Sequence, residues 1–291
     1  MIQGLVRLRT LGQLFRLSRA RHFDAMWSAR FHFSLVLWLS LMCDASRATY
    51  FAFSQDAEHV VVAIDSRQAV SLAFGRIIYR DDKCNLTPLA DRGFFFAEGL
   101  IGNSDPRAKK FDGASLAQTL FEGNFTNLQD VAERWAGQMS ADLTELQRVL
   151  PELVTARDDG NIVNAYFVGF DDQHKLQMLV AAVKQNTTNQ FALASEVRPV
   201  PSGVSFGGLH NEAFEYVAGN TFRSVSARAA TVQKARKFED SLDRLAVVLQ
   251  EAVQVIPAWA DDPGSGGEVA VLIITASPPT MRWFHKPPFC P

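Results

Sequence analysis

The sequence predicts an α+β protein in which two antiparallel sheets carry helices on their outer faces. One observation is the order of the elements: strands, two helical segments, more strands, two further helical segments and final strands. Another is composition, because 291 residues, 47% of them hydrophobic and 21% charged, suffice for a substantial core. The chain contains no internal repeat and no low-complexity tract. We therefore expect one folded domain over residues 49–291.

The first strands lie in the stretch TYFAFSQDAEHVVVAID, residues 49–65. Tyr50–Ser54 is aromatic and apolar, Val60–Ile64 is β-branched, and the mostly polar tetrad at residues 55–58 interrupts the apolar pattern between them. This pattern is typical of a β-hairpin. A loop-like stretch then reaches Phe74. Further strands, separated by polar turns, are predicted at Gly75–Tyr79, Cys84–Leu89 and Gly93–Gly99.

Helices and a second block of strands follow. The helix predicted at Asn127–Val149 has apolar residues at helical spacing, an N-cap at Thr126-Asn127 and a stop at Pro151. A long helix predicted at Ala227–Ile256 carries an apolar stripe and should end at Pro257. The other predicted helices are Ser115–Glu122 and Asn211–Ala218, and the other predicted strands are Asn161–Phe170, Lys175–Val183, Phe191–Val200, Val269–Thr275 and Met281–Phe284.

The N-terminal segment has the features of an export signal. Residues 1–30 carry six arginines and one acid, and the apolar run at residues 31–43 is shorter than the roughly 20 residues of a membrane span. Ser46 and Ala48 stand at the −3 and −1 positions of a cut after Ala48. We predict an export signal or N-terminal extension over residues 1–48, a periplasmic or secreted protein, and membrane contact only through this signal. A buried hydrophobic helix and an uncleaved anchor are the alternatives.

Charge and metal-ligand residues argue against two function classes. A net charge of −2 provides no basic surface for nucleic acid. The three cysteines and six histidines show no zinc-site spacing, so we expect neither a metal nor another cofactor. If Cys43 leaves with the signal, Cys84 and Cys290 remain. They could pair in an oxidising compartment or stay as two free thiols, and the sequence leaves both alternatives open.

A cut after Ala48 makes Thr49 the first residue of the mature chain. A free N-terminal threonine carries both a hydroxyl nucleophile and its own amine base, so Thr49 is a candidate catalytic residue. The alternative is an ordinary threonine at the start of a strand. Ser46 is a lesser candidate, which becomes N-terminal if the cut falls after Ala45.

Landmarks in residues 49–99 follow one another in a recognisable order. The Asp65-Ser66-Arg67 triplet comes sixteen residues after Thr49, and the LTPL run at residues 86–89 precedes the strand that ends at Gly99. Together with residues 262–275, these landmarks resemble the proteasome β-subunit group of N-terminal nucleophile (Ntn) hydrolases and its bacterial HslV-like relatives. The resemblance implies the Ntn-hydrolase fold, a four-layer αββα sandwich of two antiparallel sheets.

The resemblance also implies roles for individual residues. Thr49 would be the nucleophile, Asp65 would orient the terminal amine and a neighbouring lysine, and the backbone N–H of Gly99 would donate to the oxyanion. Asp262 and Ser265 would surround the terminal amine. The implied activity is hydrolysis of peptide or other amide bonds by a threonine-type peptidase or amidase, matured by signal peptidase or autocatalytically. Members of the group often form rings, so a homo-oligomer is a further expectation.

One position departs from the family pattern. The family has a lysine immediately before the LTPL-like run, and Asn85 occupies that position here. Lys83 would share a face with position 85 if the strand begins early, so Lys83 is the candidate for the lysine's role. That role is to assist proton transfer at the threonine hydroxyl. If no cation fills it, the second hypothesis is a catalytically silent secreted protein of the same fold, used for binding or assembly.

Overall fold

The structure is a computed structural model that describes residues 49–71, 77–123, 127–156, 160–186, 193–208, 210–260 and 264–291. The predicted signal at residues 1–48 lies outside these ranges. The described residues form fourteen strands and five α-helices, so the protein is of the mixed α+β class that the sequence predicts. None of these helices combines the length and hydrophobicity that a membrane span requires.

The first large sheet is antiparallel and has the order β12-β1-β2-β13-β14. Its centre is the predicted hairpin, in which Phe51 of β1 lies opposite Ile64 of β2. On its other side β1 pairs with β12, and Phe51 there lies opposite Gly207. The strands are β1 Phe51–Gln55, β2 His59–Asp65, β12 Gly203–Gly207, β13 Val269–Thr275 and β14 Thr280–His285.

The second large sheet is also antiparallel and has the order β11-β10-β9-β6-β5. Two small sheets, β3–β4 and β7–β8, stand apart from it. The strands of the second sheet are β5 Thr87–Leu89, β6 Gly93–Gly99, β9 Asn161–Phe170, β10 Leu176–Gln185 and β11 Leu193–Pro199. The strands of the small sheets are β3 Gln68–Ser71, β4 Ile77–Arg80, β7 Gly102–Asn103 and β8 Phe111–Asp112.

Side-chain caps explain where several helices begin. The Asn127 carboxamide accepts the backbone N–H of Asp130, which confirms the predicted start of the second helix. The Asp112 carboxylate accepts two N–H groups at the start of the first. The helices are α1 Gly113–Glu122, α2 Leu128–Val149, α3 His210–Ala218, α4 Phe222–Ala235 and α5 Ser241–Ala260, and a short 3₁₀ helix covers Pro151–Leu153.

Three apolar clusters account for the packing of the sheets and helices. The first cluster draws side chains from both large sheets, and the Phe51 ring lies edge-on to Phe96 and Tyr166 at centroid distances of 5.2 and 5.0 Å. The second joins the other face of the second sheet to α1 and α2, with Trp135 fully buried. The third joins the other face of the first sheet to α3 and α5. Each large sheet is therefore covered by apolar side chains on both faces.

The structure corrects several predicted elements. The helix predicted over residues 227–256 is two helices, α4 and α5, because the Asp240 carboxylate accepts the N–H groups of Leu242 and Asp243 and starts a new one. Pro257 lies inside α5 instead of ending it. Residues 68–71, predicted as loop, form β3, and β12 was not predicted at all. The strand predicted from Cys84 begins only at Thr87.

Candidate active site at the start of the first strand

The carboxylate of Asp65 lies beside the peptide that links Thr49 to Tyr50. Thr49 is partly exposed and lies two residues before the start of β1, while Asp65 is the last residue of β2. The Tyr50 N–H donates to Asp65 Oδ1 at 3.1 Å, and the Asp65 N–H donates to the Tyr50 carbonyl at 3.0 Å. Asp65 is only 1% exposed. Asp65, sixteen residues after Thr49 in sequence, thus places a buried carboxylate on the N–H of the residue that follows Thr49.

A second backbone donor reaches the same carboxylate from the loop before β13. The Gly266 N–H donates to Asp65 Oδ2 at 2.8 Å. Ser265, its neighbour, is buried at 6% exposure. Asp262, the other residue that the resemblance assigns to this loop, lies outside the described residues. Because a buried carboxylate is costly unless it is hydrogen-bonded, these two N–H groups stabilise the charged form of Asp65.

Arg67 joins the Ser265–Gly266 loop to the first sheet. Its backbone N–H donates to the Gly266 carbonyl at 3.1 Å, and its Nη1 donates to the Ser265 carbonyl at 3.1 Å. Its Nε and Nη2 donate to the two carboxylate oxygens of Asp81 at 2.6 and 2.8 Å. These bonds hold the pKa of the Asp81 carboxyl below its ordinary value of 3.8.

Asn85 fills the position where the family pattern has a lysine. Its Nδ2 donates to the Asp65 carbonyl at 2.8 Å and to the Arg67 carbonyl at 3.2 Å. Asn85 therefore hydrogen-bonds to the backbone of the site but brings no positive charge. Lys83 is exposed, and both Lys83 and Asn85 precede β5. The rule that alternate residues of a strand share a face therefore does not apply to this pair. A role for Lys83 as the cation of the site stays a prediction.

Gly99 ends β6 in the second sheet, where it pairs with Val163. Its φ of +92° belongs to a region that residues with a Cβ rarely adopt. A Cβ at this position would also lie 2.2 Å from the Ile162 carbonyl oxygen. The backbone alone thus requires glycine here, and the oxyanion role of Gly99 stays a prediction. The contacts described above bring together Tyr50, Asp65 and the Ser265–Gly266 loop, but they include neither Gly99 nor Lys83.

A disulfide bond joins Cys84 to Cys290, which decides between the two alternatives that the sequence left open. The bond connects residues 206 apart in sequence. Cys84 directly precedes Asn85, so the bond attaches the C-terminal residues to a segment that contacts the backbone of the site. Cys290 is buried in the cluster between the two sheets.

Two residues of this region, Arg67 and Asp81, have no role in the site that the sequence predicts. The sequence marks Arg67 as part of the Asp65-Ser66-Arg67 triplet, but it does not indicate which groups Arg67 binds. Asp81 lies in one of the polar turns that the sequence predicts between strands. Its contact with Arg67 depends on the pairing of β3 with β4, and β3 was not predicted.

Neither the described side chains nor the sequence comparisons identify the chemistry. Within the described ranges, no three His, Cys, Asp or Glu side chains are grouped so that they could hold a metal ion. No protein-family model and no curated protein sequence matches the chain.

Proposed function

We propose that residues 49–291 form an exported Ntn hydrolase that cleaves peptide or other amide bonds with Thr49 as its N-terminal nucleophile. The observation that carries this proposal is the buried Asp65 carboxylate, which accepts the N–H of the peptide between Thr49 and Tyr50. Two antiparallel sheets with a shared apolar cluster, each with helices on its other face, support the four-layer αββα arrangement of that fold.

In this mechanism the Thr49 hydroxyl attacks the substrate carbonyl carbon while the α-amine of Thr49 accepts the hydroxyl proton. The Asp65 carboxylate orients that amine. The Gly99 N–H stabilises the oxyanion, an effect worth about 3–4 kcal/mol per donor in other enzymes. The C–N bond then breaks, the leaving amine takes the proton, and an ester to Thr49 forms. Water attacks this ester, the acyl group leaves as a carboxylic acid, and the free hydroxyl of Thr49 is restored.

Maturation controls activity in this scheme. Before the cut, the nitrogen of Thr49 belongs to an amide bond and cannot act as a base, so the precursor is inactive. Removal of residues 1–48 would make the amine available at the time of export. The Cys84–Cys290 disulfide supports export, because such bonds persist in oxidising compartments and are rare in the cytosol.

The test compares chains that begin at Thr49 with chains that retain residues 1–48. N-terminal sequencing and intact-mass measurement of protein purified from cells should give a mature chain starting at Thr49. A fluorogenic peptide-amide panel should be hydrolysed by this chain and not by the precursor. Thr49→Ser should retain activity, and Thr49→Ala should lose it. A mature chain that starts at another residue removes the mechanism.

A second candidate function is binding or assembly by a silent protein of the same fold. Asn85 favours it, because an uncharged carboxamide stands where the family pattern has an ammonium group. A protein of this kind would be exported and cut in the same way. It would hydrolyse nothing in the peptide-amide panel, and Thr49→Ala would leave its properties unchanged.

A further inference from the structure

A hydrogen-bonded pair outside the expected site residues lies where the small sheet β3–β4 meets the loop before β13. Asp81 directly follows β4, and Arg67 directly precedes β3. The guanidinium of Arg67 donates to both carboxylate oxygens of Asp81. Ser66 Oγ also donates to the Asp81 carbonyl at 2.9 Å. Residue 81 is therefore held by three bonds to two consecutive residues.

The same arginine continues the chain of contacts to Asp65. Its Nη1 and its backbone N–H donate to the carbonyls of Ser265 and Gly266. The Gly266 N–H in turn donates to Asp65 Oδ2 at 2.8 Å. Asp81 is thus connected to the Asp65 carboxylate through one side chain and one loop.

The loop lies close to the Arg67, Ser66 and Asp81 side chains. A Cβ added to Gly266, whose φ is +136°, would lie 3.2 Å from the Arg67 Cζ. A Cβ added to Gly267 would lie 2.3 Å from Ser66 Oγ and 3.3 Å from the Asp81 Cβ. Because Arg67 also donates to the carbonyls of Ser265 and Gly266, we expect a shift of Arg67 to displace the Gly266 N–H.

We propose that Asp81 is a positioning residue of the candidate site: it fixes Arg67, which fixes the Gly266 N–H and with it the direction of the Asp65 carboxylate. The catalytic consequence rests on the proposed function, because it requires that Asp65 orients the amine of Thr49. The bidentate geometry matters here, since two parallel N–H···O bonds determine the orientation of the guanidinium as well as its distance.

The test uses Asp81→Asn with Asp82→Asn as the matched control. Asp82 is the next residue and pairs with Arg80 through two bonds of 3.2 and 3.1 Å, but both side chains are exposed and none of their bonds reaches the site. In Asp81→Asn we expect kcat to fall about 10- to 100-fold with KM within about twofold, the size of loss found when hydrogen-bond partners of metal ligands are removed. Asp81→Glu should restore part of the loss, and Asp82→Asn should change neither constant.

Hydrogen exchange at the Gly266 amide gives a readout that does not require activity. We expect its exchange to be at least about tenfold faster in Asp81→Asn than in Asp82→Asn, since loss of the orienting bonds should weaken the bond to Asp65. Equal exchange rates at Gly266 in the two variants would overturn the inference. If the wild type is active, faster exchange in Asp81→Asn with an unchanged kcat would overturn it as well. If the wild type proves inactive but exchange at Gly266 responds to Asp81→Asn alone, the proposed function fails and the positioning contact stands.

Discussion

Two aspartates at opposite ends of the β1–β2 hairpin have similar hydrogen bonds in different surroundings. Asp56, in the turn, accepts the N–H groups of Glu58 and His59 through one oxygen at 2.8 and 2.7 Å. Asp65, at the other end, accepts the N–H groups of Tyr50 and Gly266 through two oxygens at 3.1 and 2.8 Å. The Asp56 side chain is 64% exposed, whereas Asp65 is 1% exposed.

The difference separates a turn residue from a candidate site residue. An exposed aspartate that bonds the backbone two and three residues ahead is an ordinary way to close a turn. The ladder of β1 and β2 already pairs Phe51 with Ile64, so the open end of the hairpin needs no buried carboxylate. Burial of a charge is costly unless the charge is well hydrogen-bonded. The buried carboxylate of Asp65 therefore indicates a role other than closing the hairpin.

The largest expected effect contrasts Asp65→Asn with Asp56→Asn. Asp65→Asn replaces one accepting oxygen with an NH₂ group that faces an N–H donor, so the amine of Thr49 loses its orientation. We expect amide hydrolysis to fall about 10³-fold, within the range for proton-transfer groups. Asp56→Asn should leave the rate unchanged, because asparagine also closes turns. Equal rates for the two variants would remove Asp65 from the mechanism.

A large effect on stability is expected from the disulfide at the Asp65 end of the hairpin. Cys84→Ala with Cys290→Ala opens a covalent loop of more than 200 residues. We expect the free energy of unfolding to fall by about 3–5 kcal/mol, measured by urea denaturation. Reductant should lower the stability of the wild type but not of the double variant. A loss below about 1 kcal/mol would show that this bond contributes little to the folded state.

A smaller effect on the rate of hydrolysis, an increase instead of a loss, is expected from Asn85→Lys. An ammonium at this position should approach the Thr49 hydroxyl and raise kcat about 10- to 100-fold. Asn85→Gln is the control, because it lengthens the side chain without a charge and should bring no gain. If Asn85→Lys has no effect while Lys83→Met lowers kcat, Lys83 already supplies the cation.

The smallest effect concerns acid stability. The pKa of Asp81 is depressed in the folded state, so its contribution is present above the ordinary value of 3.8 and is lost as pH falls through the lower, folded-state value. Because the Asp81 side chain is about half exposed, we expect less than about 1 kcal/mol. Urea denaturation from pH 6 down to pH 2 should show a slightly smaller acid-induced loss in Asp81→Asn than in the wild type. An identical pH dependence would contradict it.

Local sequence patterns predicted most of the fold. The hairpin of β1 and β2, the strand β6 and the helix α2 each carry a signal within a few residues, and all are present. The prediction of one long helix was wrong for a local reason as well. Asp240 is an N-cap residue, but the apolar stripe on both sides of it favoured a continuous helix. Pro257 is tolerated inside α5, and its burial offsets part of the cost of a proline in a helix.

Features that depend on distant pairing were harder to predict. The strand β12 is short and contains two glycines, and it exists because β1 offers a free edge some 150 residues earlier in the chain. The hairpin spacing indicated that Tyr50 and Asp65 lie close together. The resemblance placed only Ser265 and Asp262 near the terminal amine, and nothing in the sequence indicated the bond from the Gly266 N–H to Asp65. The Arg67–Asp81 pair had no signal in the sequence beyond two opposite charges.

The most direct test of the account is a covalent label on Thr49. An epoxyketone that reacts with both a hydroxyl and an adjacent free amine should be incubated with chain purified after export, followed by peptide mass mapping. We predict one adduct, on an N-terminal peptide that begins with Thr49, and no adduct in Thr49→Ala or in the uncut precursor. An unlabelled mature chain, or an adduct on another residue, would contradict the assignment of Thr49 as the nucleophile.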